Sequence, residues 1–272
     1  MLLIEFGKFC FHFAQSCDIL LYIKSGIDIF LHWKVLVLQR LISQMRSAIQ
    51  KYNMIDAGDK IAVCVSGGKD SMALLYGLAK LKEFFPLPYE VVAVTLDMGF
   101  DDAADFSKVQ ELCDTLGIEY VLKPTDIGKI IFEIRKEPNP CSLCARMRRG
   151  ALHDIAKELG CNKIALGHHL DDAVETFYMN LFQGGTIGSF SPKSYLSRKD
   201  LTMIRPMILA FEKDVTRAVN NESLPVVKSK CPADGVTKRQ EIKELIRTLE
   251  RDYDRLRIKT LGALQRGGID GY

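Results

Sequence analysis

Apolar residues recur at helical spacing at Leu38, Leu41, Ile42, Met45, Ile49 and Tyr52, with Arg40, Arg46 and Lys51 elsewhere on the same helix. The period then changes. Residues 60–65 (KIAVCV) form a short continuous apolar run, the mark of a strand buried on both faces. A glycine-containing turn leads to a predicted helix over 71–84, closed by Pro86 and Pro88. A strand follows at 90–96 (EVVAVTL), then a helix at 103–116 ended by Gly117, and a strand at 119–122. Beyond an irregular segment, the pattern predicts a helix at 144–159 ended by Gly160, a strand at 163–166, a helix at 171–182 and a fifth strand at 202–205. The charged stretch 237–264 reads as helix with a solvated polar face. Strands alternating with helices specify an α/β fold, a doubly wound parallel sheet of about five strands. The ligand site of such a sheet lies beyond the carboxyl ends of its strands, where the strand order reverses.

Residues 1–37 break this pattern. Of the first 34 residues 21 are apolar, including the single tryptophan, Trp33. Charges at Asp18, Lys24, Asp28 and Lys34 leave no run near the roughly 18 uncharged apolar residues of a spanning helix. Glu5 in the would-be basic region, with no small-residue cleavage site after it, argues against a signal peptide. The stretch reads as a poorly packed appendage, or as sequence upstream of the true start, ahead of a membrane anchor. The expected organisation is therefore an appendage at 1–37, a catalytic domain at 38–230 and a helical tail at 231–272.

Composition narrows the class. Hydrophobic residues are 47% and charged residues 26%, which excludes a disordered chain or a polytopic membrane protein. The net charge of +3 does not by itself call for a polyanionic partner, so nucleic-acid binding would rest on a local patch. Eight cysteines in 272 residues fall well below the roughly 8–10% of a disulfide scaffold. Reduced, reactive or metal-bound thiols and a cytoplasmic location are the expectation.

Three motifs carry chemistry. Ser66-Gly67-Gly68-Lys69-Asp70-Ser71 lies between a buried strand and a helix start, where free N–H groups and the helix dipole favour an anion. Two glycines let the backbone approach a phosphate, Lys69 supplies a point charge, and Ser66 and Ser71 add hydroxyls. Val63 and Asp70 occupy places where a Walker loop has glycine and Ser/Thr, so the loop is of another kind. Gly167-His168-His169-Leu170-Asp171-Asp172 follows the fourth strand and should neighbour the first loop. Asp171 and Asp172, with Asp70, are candidate magnesium ligands on a triphosphate, and one aspartate is also a candidate cap of the helix start. Cys141-Ser142-Leu143-Cys144 places two sulfurs close enough to share a metal or pair, with Arg146, Arg148 and Arg149 just downstream. A third sulfur must come from afar. Cys231 sits in a polar loop, whereas Cys64, Cys113 and Cys161 hold strand or helix positions typical of buried thiols.

Together SGGKDS, CSLCARMRRG and IALGHHLDDAVETFYMNLFQGG resemble the tRNA 2-thiocytidine synthetase (TtcA) branch of the PP-loop ATP pyrophosphatases, over about residues 38–264. The resemblance implies an adenine nucleotide alpha hydrolase-like fold, ATP cleaved to AMP and pyrophosphate, Mg²⁺, and a 4Fe-4S cluster on Cys141, Cys144 and Cys231. Two departures stand out: KSKCPADG around Cys231 is not the P-C-x-x-C-G form of some members, and Leu170 replaces a frequent arginine. The implied reaction adenylates the C2 oxygen of a cytidine, at tRNA position 32 in that family, and replaces it with sulfur delivered at the cluster. In this scheme Lys69 stabilises the departing pyrophosphate. Ser66, Gly67, Gly68, Asp70, Ser71, Gly167, His168, Asp171 and Asp172 hold the nucleotide, and Asp97 at the end of the second strand helps seat its nucleoside. Arg146, Arg148, Arg149 and Arg205 are the candidates for tRNA phosphates. A sulfur donor, a cysteine desulfurase or another, is the expected further partner, and a homodimer is a candidate assembly. Rival readings are another PP-loop tRNA-modifying enzyme, a thiouridine-type thiolase or a nitrogen-adding ligase, and a non-catalytic ATP-binding metal sensor.

Overall fold

The computed structural model describes residues 26–100, 104–136, 140–232 and 238–272, with side chains from residue 37 onward. Most of the apolar appendage expected at 1–37 therefore lies outside the described residues. The chain divides into two compact units, Met1–Leu36 and Val37–Tyr272. The second holds everything that follows, apart from the early turns of the first helix.

That helix, α1 (Gly26–Lys51), buries Leu41, Ile42, Met45 and Ile49, the stripe that the period predicts. Next come β1 (Asp59–Cys64), α2 (Lys69–Lys82), β2 (Tyr89–Asp97), α3 (Ser107–Leu116) and β3 (Glu119–Pro124). A short helical turn, Ile127–Lys129, runs into a single π turn, Ile130–Ile134. Then follow α4 (Pro140–Glu158), β4 (Lys163–Ala165), α5 (Leu170–Gly184), β5 (Lys193–Leu196), β6 (Leu201–Ile204) and α6 (Glu212–Asn221). The chain finishes in α7 (Lys238–Asp252), α8 (Leu256–Arg266) and a 3₁₀ turn, Ile269–Gly271. No helix among the described residues is long and apolar enough to cross a membrane.

The six strands lie in the order β3-β2-β1-β4-β6-β5. All neighbours are parallel except β5 and β6, which form an antiparallel pair at the edge. Sequence reading gives five of these strands. It leaves β5 in a loop, because four residues of mixed polarity with exposed Tyr195 carry no strand period. Both faces of the sheet are covered, as a parallel sheet requires. Ile61, Val63 and Val65 of the β1 segment pack with α1, α2 and α6, while Ala62 and the partly buried Cys64 pack with Ile155 and Ala156 of α4. Packing is tight where α1 meets α2: a Cβ at Gly77 would stand 2.5 Å from Met45 Sδ. Truncating such a buried side chain costs about 2–5 kcal/mol.

α7 and α8 dock on α5 through a smaller core. Leu170 and Val174 of α5 meet Ile242, Ile246 and Leu261. Leu170 is buried there, and its N–H donates to Ala210 O at 2.9 Å. This apolar side chain thus anchors the terminal helices.

Candidate active site

β1 and β4 are adjacent and parallel, and the strands that follow them, β2 and β6, lie toward opposite edges of the sheet, so the strand order reverses between them and the ligand crevice of such a sheet falls beyond their carboxyl ends. The loop after β1 fills one wall. Gly67 has φ +81°, a left-handed conformation, and a Cβ there would lie 2.7 Å from Val227 Cβ. The backbone of Val227 also bonds to this loop, its N–H donating to Gly67 O at 2.9 Å. Ser71 ties the loop to α2: its hydroxyl donates to Gly68 O at 2.8 Å and accepts from Ser66 N–H at 3.1 Å. Ser66 Oγ donates to Ser71 Oγ at 3.2 Å. No side chain caps the first turn of α2, so its N–H groups and dipole face the crevice.

The loop after β4 forms the other wall. A Cβ on Gly167 would lie 3.1 Å from the Asp70 carbonyl carbon and 3.2 Å from Ser71 N, so the two motif loops abut, as the strand order predicts. His169 caps α5 in a reciprocal box: its Nδ1 accepts from Asp172 N–H at 3.4 Å, and its own N–H donates to Asp172 Oδ2 at 3.0 Å. Sequence reading gives the cap to an aspartate, whereas the histidine takes it with Asp172 as third-position partner. His168 stacks near Phe190, ring centroids 4.8 Å apart, and its Nδ1 accepts from Arg205 Nε at 3.3 Å. Burial, chiefly, lowers its pKa to about 4, so the ring is neutral with its proton on Nε2.

Two sequence expectations are corrected here. Arg205 is 6% exposed, its guanidinium held by His168 and by the Ser191 carbonyl and stacked 4.8 Å from the Phe190 ring. It braces the crevice from inside instead of presenting charge to tRNA. Asp171 is 7% exposed and committed: Oδ2 accepts from Glu212 N–H at 2.7 Å and Oδ1 pairs with Arg257 Nε at 2.8 Å. Both its oxygens therefore join α5 to α6 and α8, in place of the magnesium ligation expected of it. Asp70 and Asp172 remain at the crevice.

The charged face of the tail is not merely solvated. Lys243 pairs with Glu212 at 2.7 Å, and Glu212 also lies 3.2 Å from Lys69 Nζ, which Asp70 Oδ1 approaches to 2.7 Å. Burial pushes the Lys69 pKa down, but the Asp70 and Glu212 carboxylates outweigh it and leave it raised. For Glu212 burial acts upward, and Lys243 and Lys69 together overcome it, lowering the pKa to about 2. Arg239 reaches Asp172 Oδ1 at 3.3 Å, Thr176 Oγ1 at 3.1 Å and Glu175 Oε2 at 3.5 Å. Sequence reading noted Glu175 in the second motif without giving it a task, and missed Glu212, Arg239, Lys243 and Arg257. The one signal it offered was the i, i+4 spacing of Arg239 and Lys243 beside an apolar stripe.

Cys141 and Cys144 sit in the opening turns of α4, one helical turn apart and so on one face. Sequence reading started this helix at Cys144, whereas Pro140 begins it, as proline suits a first helical position. Burial raises the Cys144 pKa, the Arg148 guanidinium opposes it, and the Cys231 and Cys141 thiols reinforce it. Among the described residues no three His, Cys, Asp or Glu side chains converge on a point as ligands of a single ion would. Cys141 and Cys144, one helical turn apart, and Cys231, whose thiol acts on Cys144, are soft donors of the kind an iron–sulfur cluster takes. Cys64 is the contrasting case: burial drives its pKa up to about 12 despite Arg148, so it stays a thiol. Arg146, Arg148 and Arg149 are exposed on α4. Asp97 is half-buried at the end of β2, where Oδ1 accepts from Gly99 N–H at 3.1 Å and its carbonyl takes Thr125 N–H and Oγ1.

Comparison with known proteins places this geometry. The family model for a PP-loop domain matches residues 38–249. The chain is 42% identical over 220 residues to the tRNA-cytidine(32) 2-sulfurtransferase of Syntrophotalea carbinolica, covering 80% of this chain and 85% of that one. It is 39% identical over 230 residues to the enzyme of the same name from Citrifermentans bemidjiense, covering 83% and 89%. Among solved structures it is similar to the U34-tRNA thiolase NcsA from Methanococcus maripaludis with its 4Fe-4S cluster, with TM-score 0.72, 23% identity, and coverage of 86% and 79%. That last likeness concerns the fold. By sequence, this chain belongs to the PP-loop family and, within it, to the tRNA-cytidine(32) 2-sulfurtransferases.

Proposed function

We propose that this chain is an ATP-dependent sulfurtransferase that adenylates the C2 oxygen of a tRNA cytidine, at position 32, and replaces that oxygen with sulfur. The observation that carries the reading is the abutment of Gly167 on Asp70, which joins an uncapped helix start with Lys69 to the second motif loop in one crevice.

Each residue then has a physical task. The C2 carbonyl of cytosine is a poor electrophile with a poor leaving group, and transfer of AMP to its oxygen turns that oxygen into a good one. Negative charge builds on pyrophosphate as the α–β phosphate bond breaks. Lys69, the α2 dipole and the N–H groups of residues 67–69 stabilise it from fixed positions. Asp97, at the end of β2, orients the nucleoside. Neutral His168, fixed by Arg205, lines the crevice without adding charge. Arg146, Arg148 and Arg149 draw the tRNA backbone toward α4. A 4Fe-4S cluster held by Cys141, Cys144 and Cys231 would supply sulfur for C2 at the iron that no protein thiolate occupies. Magnesium on the triphosphate needs only one or two protein carboxylates beside the phosphates, and Asp70 would furnish one. The partners are tRNA and a sulfur donor, and the setting is the cytoplasm.

The test is mass spectrometry of tRNA nucleosides from a strain lacking the gene, with pyrophosphate release assayed in the purified protein. Loss of 2-thiocytidine, and release that needs both ATP and tRNA, is the expected result. Retention of every thiolated cytidine would refute the reading.

A further inference from the structure

We propose that Arg239 and Lys243 of α7 bind the nucleotide's polyphosphate, and that Glu212 is a resident counter-ion which the phosphates displace. The proposal rests on ATP being the nucleotide of this crevice and adds residues from a third wall, beyond the two motif loops.

The geometry around Glu212 is that of a small anion site filled by the protein's own carboxylate. Its Oε1 is approached by two ammonium groups from opposite elements, Lys69 at 3.2 Å and Lys243 at 2.8 Å, and Oε2 by Lys243 at 2.7 Å. Two like charges meet at one oxygen only because an anion lies between them. Glu212 offers a single negative charge, whereas the phosphates of ATP offer several together with more acceptor oxygens, so phosphate competes well for both lysines.

Arg239 is set up in the same way. It stands one turn before Lys243 on the same face of α7, and that helix is held in place by Ile242 and Ile246 against Leu170 and Val174. Its contacts with Asp172, Thr176 and Glu175 run from 3.1 to 3.5 Å, longer than the roughly 2.7–2.9 Å of well-formed charge-assisted bonds. Glu175 is 3% exposed, yet its Oε1 has no hydrogen-bond partner. A fork-shaped cation loosely held beside an unsatisfied buried carboxylate is a poor structural bridge. It is a reasonable waiting position for a group whose better partner, a phosphate, arrives later.

Calorimetric titration of the full chain with ATP, inorganic pyrophosphate and AMP tests the proposal. Arg239→Gln and Lys243→Met should each weaken ATP and pyrophosphate about tenfold, the loss of one charge-assisted contact, and leave AMP affinity unchanged. Glu212→Gln should strengthen pyrophosphate binding about threefold or more by removing the competing carboxylate. Lys238→Ala, whose side chain pairs with exposed Glu241, is the surface control and should change nothing. Should a variant unfold, Lys243→Arg keeps the charge and should bind within about threefold of the parent, whereas Arg239→Lys keeps the charge but loses the fork and should bind more weakly than the parent. Unchanged pyrophosphate binding in both charge-removing variants, or weakened binding in Glu212→Gln, would overturn the inference. Failure of the parent chain to bind ATP at all would instead strike the adenylation reading beneath it.

Discussion

Val227 seals the phosphate loop: its N–H donates to Gly67 O at 2.9 Å, while its side chain occupies the space that a Cβ on Gly67 would need. Position 67 is therefore closed to any side chain on two counts, the left-handed φ of +81° and the 2.7 Å approach. Gly67→Ala should lose about 1–3 kcal/mol of stability and displace residues 226–228. Denaturant unfolding and ATP titration of the same variant would check this, and an unaltered midpoint would contradict the tight seal.

Lys69→Ala removes the ammonium that, on the proposed reading, faces the departing pyrophosphate. Pyrophosphate release should fall about 10²-fold or more, with bound iron and sulfide unchanged. Release at the parental rate would mean that the loop after β1 does not stabilise the leaving group.

Cys141→Ala should abolish thiolation and lower iron content after anaerobic purification while sparing ATP binding. Cys141 is exposed at the start of α4, outside the phosphate loop of residues 66–71. Full thiolation by the variant would eliminate the three-cysteine scheme.

Stability should depend on pH on the acid side. His168 has its pKa lowered to about 4 and Glu212 to about 2, against ordinary values of 6.5 and 4.5. Both groups bind protons more readily in the unfolded chain, so their stabilisation is present above the ordinary value and is lost as pH falls through the folded one. Unfolding free energy should therefore decline below about pH 6.5 through His168, and decline further below about 4.5 through Glu212. Chemical denaturation across this range should show a shallower lower limb in Glu212→Gln, and identical slopes would contradict the pairing of Glu212 with Lys69 and Lys243.

A chain beginning near Val35 should fold and keep ATP binding, because it retains every buried side chain described for α1, from Leu41 onward. Loss of cooperative unfolding in that truncated chain would assign the first residues to the core.

What could be read from sequence followed the strength of each local signal. The α1 stripe, the apolar run of β1 and the Gly-rich loop are properties of neighbouring residues, and each falls where its period or turn chemistry put it. The edge strand β5 has no such period. Neither the inward turn of Arg239, Lys243 and Arg257 nor the burial of Arg205 could be read, since a charged residue on a helix looks solvated until a buried carboxylate or carbonyl is found opposite it. Asp171 misled for the same reason: a carboxylate at a helix start suits a cation, and only tertiary contact reveals that the cation is Arg257. Leu170 was legible as a departure from the family pattern, but its role under α7 required the packing of helices far apart in sequence.

The β1–β4 register pairs Ile61 with Lys163, partners separated by roughly a hundred residues of intervening chain. During synthesis the Gly-rich loop emerges long before the strand that completes its crevice, so a nascent chain ending within α4 carries the sequence signature of a nucleotide site without the site. Nucleotide can act as a folding ligand only once β4 has threaded into place, and it then rewards the finished sheet over every partial one.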